Sequence, residues 1–193
     1  MSKVIDARGY RIRPRSRFSG EKGDADAKAA DKALQLALLE HGEEPISAVL
    51  LIRDTDDDLT RRQGLEQARQ RDGDEPWPFE IIIGVEHAKR EAWVLAGCEP
   101  TDSTEQQNRL ALRRELGFDP CTSPEQLTAS EHGAKRDVKR VFKKLLADDW
   151  DRQERCWRQT PLETLRRRGG GCGLSAYLDE VEARLVPLFG AGE

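Results

Sequence analysis

The chain has 193 residues, carries a formal net charge of -4, and is 37% hydrophobic and 35% charged. This length fits one domain of ordinary size, or one domain with a helical appendage, and the hydrophobic fraction is enough to build a core. No apolar run approaches the ~18 to 20 residues that span a bilayer, and the first residues lack the apolar segment of a signal peptide, so we expect a cytoplasmic protein without a membrane partner.

The first half of the chain predicts alternating helices and strands. A short strand before Pro14 is followed by a predicted helix over residues 25–41, because Ala and Leu recur there at helical spacing. The next predicted elements are an aliphatic strand at 48–52, a polar helix at 59–71 and a second aliphatic strand at 79–84. The order helix, strand, helix, strand is typical of a parallel α/β sheet with right-handed crossovers.

The most informative feature is the end of the first aliphatic strand, where five aliphatic residues run into Arg53-Asp54-Thr55-Asp56-Asp57-Asp58. The aliphatic run predicts a strand buried on both faces, and open α/β sheets bind ligands beyond the carboxyl ends of such strands. If the extended geometry continues, the side chains of Asp54 and Asp56 point the same way, about 6.5–7 Å apart at the backbone. Two like charges that close favour a cation between them, and Mg²⁺ is the usual partner in phosphate chemistry. The alternative is an acidic turn that only solvates the strand end.

The second half of the chain is predicted to be helical. The segments with helical spacing or capping signals are 87–96, 104–116, a capping box at 123–126, 133–146, a short helix from 160, and a final helix through 174–188. The helix at 133–146 is the most amphipathic, with Lys and Arg around one apolar face. Four cysteines without Cys-x-x-Cys spacing predict free thiols, and Cys172, in a Gly-rich loop, lacks the His and acid pattern of a nucleophile.

Charges are distributed unevenly along the chain. Residues 1–18 carry six Lys and Arg against one acid, residues 19–132 carry 13 against 25, and residues 133–193 carry 13 against 10. A basic beginning and end around an acidic middle is one pattern of a nucleic-acid enzyme, with cations on phosphates and acids on a metal. The same pattern is also common in other proteins.

Two motifs occur in order along the chain, one directly after a predicted strand and one at the start of a predicted helix. The first is Arg53-Asp54-Thr55-Asp56 after a strand, and the second is Glu91-Ala92-Trp93-Val94-Leu95 at the start of the helix after the next strand. Together they resemble the Toprim (topoisomerase–primase) superfamily, in particular its small bacterial members related to the nuclease domains of OLD-type proteins. The resemblance covers about residues 45–145. It implies a small, mostly parallel Toprim-like α/β sheet flanked by helices over residues 1–100, with a helical extension over residues 101–193 packed on that core.

The resemblance also implies a metal-dependent nuclease. Asp54 and Asp56 would bind Mg²⁺ or Mn²⁺ that supports cleavage of a phosphodiester bond in DNA or RNA. Glu91 would be a further metal ligand or catalytic acid, and Lys135 would be the catalytic lysine that steadies the charged transition state. The plainer alternatives are an i,i+4 contact between Glu91 and His87, and a solvated cation at Lys135. Several members of this group act in defence against phage, which makes antiviral defence the expected context.

The chain departs from the family at its beginning. Toprim enzymes usually start with a strand that ends in a glutamate followed by a glycine, and this glutamate serves as general acid or base. No such strand precedes residue 19. Three explanations follow: the first βα unit is absent, a protein partner completes the active site, or the protein binds without cutting.

Two other classes of protein compete with the nuclease. A haloacid-dehalogenase-type phosphatase also uses two aspartates two residues apart, but its motif normally lies near the amino terminus and has a small or aliphatic residue in the place of Arg53. A non-catalytic α/β subunit that docks on a larger ATPase or defence complex through its basic helices accounts for the missing glutamate.

Overall fold

The computed structural model describes residues 4–5, 11–12, 15, 17–18, 20–55, 58, 60–70, 76–87, 89–147 and 149–190. In this part of the chain the protein is a mixed α/β protein, and none of its helices has the length and apolar character to cross a membrane. Contacts divide the chain into two compact units, residues 1–53, 58–84 and 180–193 in the first and residues 54–57 and 85–179 in the second. The predicted boundary at residue 100, between a core and an extension, stays a prediction.

The amino-terminal part of the chain forms short hairpins, two helices and a parallel pair of strands. Its elements are β1 (Val4–Ile5), β2 (Arg11–Ile12), β3 (Arg17–Phe18), β4 (Glu21–Lys22), α1 (Ala27–His41), β5 (Ala48–Asp54), α2 (Thr60–Arg69) and β6 (Glu80–Glu86). Strand β1 pairs with β2 and β3 with β4, both antiparallel. The predicted parallel arrangement is therefore confirmed only for β5 and β6.

Hydrogen bonds fix the register of the parallel pair. The backbone N–H of Glu80 donates to the carbonyl of Ser47 at 3.0 Å, and the N–H of Thr55 donates to the carbonyl of Glu86 at 3.0 Å. In a parallel ladder the second bond makes Asp54 and Glu86 direct neighbours.

The two strands differ in burial. Every residue of β6 from Ile81 to Glu86 is buried, as the aliphatic run predicts. In β5 only Leu51 is buried, whereas Leu50 is 44% exposed and Ile52 is 47% exposed. The prediction that β5 is buried on both faces is wrong, because Leu50 and Ile52, which point to the same face of the strand, are both exposed.

Helices α1 and α2 pack against each other in the first unit. They approach closely at Gly64, where a Cβ atom would lie 1.9 Å from the carbonyl oxygen of Ala25. The buried carboxylate of Asp31 in α1 accepts a 2.7 Å hydrogen bond from the Nε of Arg15. Burial of an ion pair of this kind is tolerated because the opposite charge and the hydrogen bonds offset part of the desolvation cost.

The carboxyl-terminal part of the described chain is helical. Its elements are α3 (Arg90–Ala96), α4 (Ser103–Leu116), a 3₁₀ turn at Pro124–Gln126, α5 (Val138–Leu146), α6 (Trp150–Arg158), α7 (Leu162–Gly169), α8 (Leu174–Glu180), a π-helical segment at Val181–Leu185 and α9 (Pro187–Gly190). The core of the second unit surrounds α3, of which Ala92 to Ala96 are all buried. The four cysteines are buried and free, as predicted.

Several helix starts differ from the predicted ones. Helix α5 begins at Val138 rather than 133, because the carboxylate of Asp137 caps it by accepting from the N–H of Lys139 at 3.0 Å. The other oxygen of Asp137 accepts from the N–H of Gly133 at 2.7 Å, which holds the preceding residues in a loop. The expected capping box at 123–126 is a 3₁₀ turn without a side-chain cap.

Candidate metal and nucleic-acid site

The ends of the two parallel strands bring Asp54 and Glu86 together. Neighbouring strands lie about 4.8 Å apart, and partners in register point their side chains to the same face. Glu86 is only 7% exposed, whereas Asp54 is partly buried. The sequence pattern does not identify Glu86, because it predicts that the second strand ends at Gly84. An acid directly after a buried aliphatic strand is the signal that could have identified it.

Burial and like charges act together on Glu86. Its pKa is raised to about 7, first by burial and then by the nearby charges of Asp54 and Glu91, while Arg90 opposes the shift. A carboxylate pair at low exposure is stabilised by a positive ion, because the ion removes the repulsion between the two charges. The strand ends are therefore a candidate place for a cation.

The Gly-rich loop after α7 supports the end of β6. The N–H of His87 donates to the carbonyl of Cys172 at 3.0 Å, and the indole N–H of Trp93 donates to the same oxygen at 2.7 Å. Gly173 has φ +86, and a Cβ atom there would lie 2.1 Å from the carbonyl oxygen of Val85. This close approach fixes the backbone immediately before Glu86.

Cys172 itself does not have the properties of a nucleophile. Burial raises the pKa of its thiol to about 11, so the thiol stays protonated at neutral pH. Its functional contribution is the backbone carbonyl that holds His87 and Trp93.

The predicted site residues Glu91 and Lys135 lie in different surroundings. Asp56 lies outside the described residues. Glu91 is half-buried in the first turn of α3, five positions after Glu86 in the chain. Lys135 is exposed in the loop before α5, where its backbone carbonyl accepts a 3.0 Å hydrogen bond from Arg140.

A basic groove lies beside Glu91. Its volume is about 520 Å³, and its lining residues are Glu91, His132, Gly133, Lys139, Arg140, Phe142, Lys143 and Lys144. Helix α5 supplies most of these residues because it buries its apolar face and turns its lysines outward, as its amphipathic pattern predicts. We call this surface the α5 groove.

Two of the cations that line the α5 groove share one acidic partner. Arg140 pairs with Glu115, and the Nζ of Lys144 lies 3.6 Å from the same carboxylate. Four Lys and Arg line the groove against the single carboxylate of Glu91. This excess of positive charge suits the phosphates of a nucleic acid.

The residues at the strand ends fit a hard divalent cation. Asp54 and Glu86 offer carboxylate oxygens, and Mg²⁺ is typically held by one or two carboxylates together with waters. In the part of the chain that the structure describes, no group of three or more His, Cys, Asp or Glu side chains is arranged to hold a metal ion. A two-carboxylate site is thus the arrangement that these residues allow.

No family model matches the chain, and no curated protein and no solved structure matches it either. The case for a function therefore depends on the residues of the chain itself.

Proposed function

We propose that the protein is a Toprim-like, Mg²⁺-dependent nuclease, or the nuclease subunit of a complex, that cleaves phosphodiester bonds in DNA or RNA. The observation that carries the proposal is the pair formed by Asp54 and Glu86 at the ends of two parallel strands. The α5 groove, lined in part by Glu91, supports it by offering a surface for phosphates.

Each part of the site has a chemical role in this proposal. Asp54 and Glu86, with Asp56, would hold Mg²⁺ or Mn²⁺, and the bound ion would supply charge neutralisation and an activated water. Glu91 is the carboxylate that orders the attacking water or accepts its proton. The cations of α5, Lys139 and Lys143 among them, bind the phosphates on either side of the scissile bond.

Glu86 is relevant to the glutamate that the chain lacks in comparison with the Toprim pattern. The usual first-strand glutamate is missing from the sequence, and Glu86 brings a carboxylate to the metal pair from the neighbouring strand. The proposal includes the antiviral role that the resemblance implies, a protein partner that completes the site, and the cytoplasmic location expected from the sequence. The exposed aliphatic side chains of Leu50 and Ile52 support a protein partner, because such side chains gain from being covered.

The test is a cleavage assay on plasmid, single-stranded DNA and RNA with Mg²⁺ or Mn²⁺, carried out with the protein alone and with the products of neighbouring genes. We expect cleavage that EDTA abolishes and that Asp54→Asn and Glu86→Gln each reduce by about 100-fold or more. Glu80→Gln is the matched control, since Glu80 begins the same strand and pairs with Arg184 at 3.1 Å. Equal cleavage by wild type and Glu86→Gln would contradict the proposed site.

A non-catalytic subunit is the second candidate, and the exposed face of β5 is the observation that favours it. Calorimetry with MgCl₂ separates the two functions. A nuclease binds the ion and loses this binding with Asp54→Asn, whereas a scaffold protein binds none and cleaves nothing in any combination of partners.

A further inference from the structure

Trp150 is a large aromatic side chain that the fold leaves at the surface. It begins helix α6 and is 67% exposed. The guanidinium of Arg90 lies over its ring, 5.1 Å from the ring centroid, and the Nη2 of Arg90 is 3.5 Å from the side-chain oxygen of Gln153. The ring is therefore held in one orientation although one side of it is open to solvent.

Arg90 connects this ring with the candidate site. It precedes Glu91 directly in α3, and its charge lowers the pKa of Glu86 against the effect of burial. Glu91 in turn lines the α5 groove. Trp150 follows the end of α5 at Leu146 by four residues, and its contact with Arg90 places the ring beside the residue that precedes Glu91.

An exposed ring beside cations suits unpaired bases better than a duplex. Stacking of a base on an aromatic side chain contributes about 1–3 kcal/mol, and it requires a base whose face is accessible. In a duplex the neighbouring base pairs cover these faces. The cations of the α5 groove contact phosphates of either form, so the aromatic ring is the feature that discriminates between them.

We propose that the protein binds its nucleic acid as a single strand, with an unpaired base stacked on Trp150 and the adjoining backbone in the α5 groove. This inference rests on the proposed function, because it names the form of substrate that the same site takes. Negative charges near the ring act against it: the carboxylate of Asp151 is exposed, and that of Asp149 accepts a hydrogen bond from the N–H of Arg152.

The test is fluorescence anisotropy with labelled single-stranded DNA and RNA 20-mers and a duplex of the same sequence, in EDTA so that nothing is cleaved. We expect tighter binding of single strands than of the duplex, and a loss of about tenfold in single-strand affinity for Trp150→Ala. Trp150→Phe should recover most of the affinity, because the phenyl ring still stacks. Asp151→Asn should tighten binding by removing a negative charge.

Trp157→Ala is the matched control, since Trp157 is 44% exposed on the same helix and lies about 10 Å further along its axis. It should bind single strands as tightly as wild type. Unchanged binding by Trp150→Ala, or a duplex bound as tightly as a single strand, would overturn the inference.

The failure of this inference and the failure of the proposed function give different results. Metal-dependent cleavage with unchanged binding by Trp150→Ala would leave the nuclease standing and overturn the stacking role. Trp150-dependent binding of single strands without cleavage under any condition would support the stacking role and overturn the nuclease. A protein that binds no nucleic acid overturns both.

Discussion

The second unit contains two clusters of charged side chains at low exposure, and their charges are arranged in opposite ways. Arg152 in α6 is 4% exposed, and its Nε donates to Glu105 at 2.7 Å; this pairing raises the pKa of the guanidinium and lowers that of Glu105. Glu86 is about as buried, and burial together with the like charges of Asp54 and Glu91 raises its pKa to about 7 against the opposing charge of Arg90. Paired charges at low exposure indicate a structural role, whereas a buried carboxylate with neighbours of the same sign is a candidate for a functional site.

The largest effect is expected from breaking the paired cluster. Arg152 also contacts the sulfur of Cys156 at 3.2 Å and the carbonyl of Glu99, so its removal leaves several acceptors unsatisfied. We expect Arg152→Ala to lower the free energy of unfolding by about 3–5 kcal/mol, measured by urea denaturation. Arg155→Ala, at an exposed position of the same helix, should change it by no more than about 0.5 kcal/mol. A loss below about 1 kcal/mol for Arg152→Ala would mean that the pair is not structural.

A smaller loss is expected where the backbone supports the like-charged cluster. Gly173→Ala introduces a Cβ atom 2.1 Å from the carbonyl oxygen of Val85 at a residue with φ +86. We expect it to cost about 2–3 kcal/mol of stability and to displace the end of β6, so that Mg²⁺ affinity falls as well. The control is Gly170→Ala, where the nearest atom is 4.0 Å away and φ is negative. Wild-type Mg²⁺ affinity in Gly173→Ala would show that this loop does not position Glu86.

The positions of these two clusters could be predicted from the sequence only in part. The acidic end of β5 was visible because a run of aspartates follows an aliphatic strand. The sequence pattern does not identify Glu86, because β6 extends two residues beyond the predicted end at Gly84. Strand ends are set by pairing with a neighbour rather than by local sequence. The pairing of Arg152 with Glu105 joins residues 47 positions apart, which no local pattern indicates. The exposure of Leu50 and Ile52 likewise depends on which elements pack against β5, which no local pattern indicates.

The next smaller effect is the pH dependence of stability, which distinguishes the like-charged cluster from the paired one. The pKa of Glu86 is raised from 4.5 to about 7, so its cost to the fold is absent below pH 4.5, appears as pH rises and is complete above pH 7. We expect Glu86→Gln to be as stable as wild type near pH 4 and more stable by about 1–3 kcal/mol at pH 8. Thermal unfolding at both pH values measures this difference. Mg²⁺ should reduce the difference at pH 8 by stabilising the wild type, and a difference that does not change with pH would contradict the role of like charges.

The smallest effect on stability is expected at Lys135, where the family resemblance and the structure favour different lysines. The resemblance implies that Lys135 steadies the transition state, whereas the lining of the α5 groove includes Lys139 and not Lys135. Both side chains are exposed, so Lys135→Ala and Lys139→Ala should each change the free energy of unfolding by about 0.5 kcal/mol or less. Because cations next to the phosphates affect binding and cleavage most, Lys139→Ala should lose more single-strand affinity than Lys135→Ala at the same salt concentration. If cleavage is instead lost with Lys135→Ala while single-strand affinity is retained, the loop before α5 moves toward the acids when substrate binds, and Lys135 has the catalytic role that the resemblance implies.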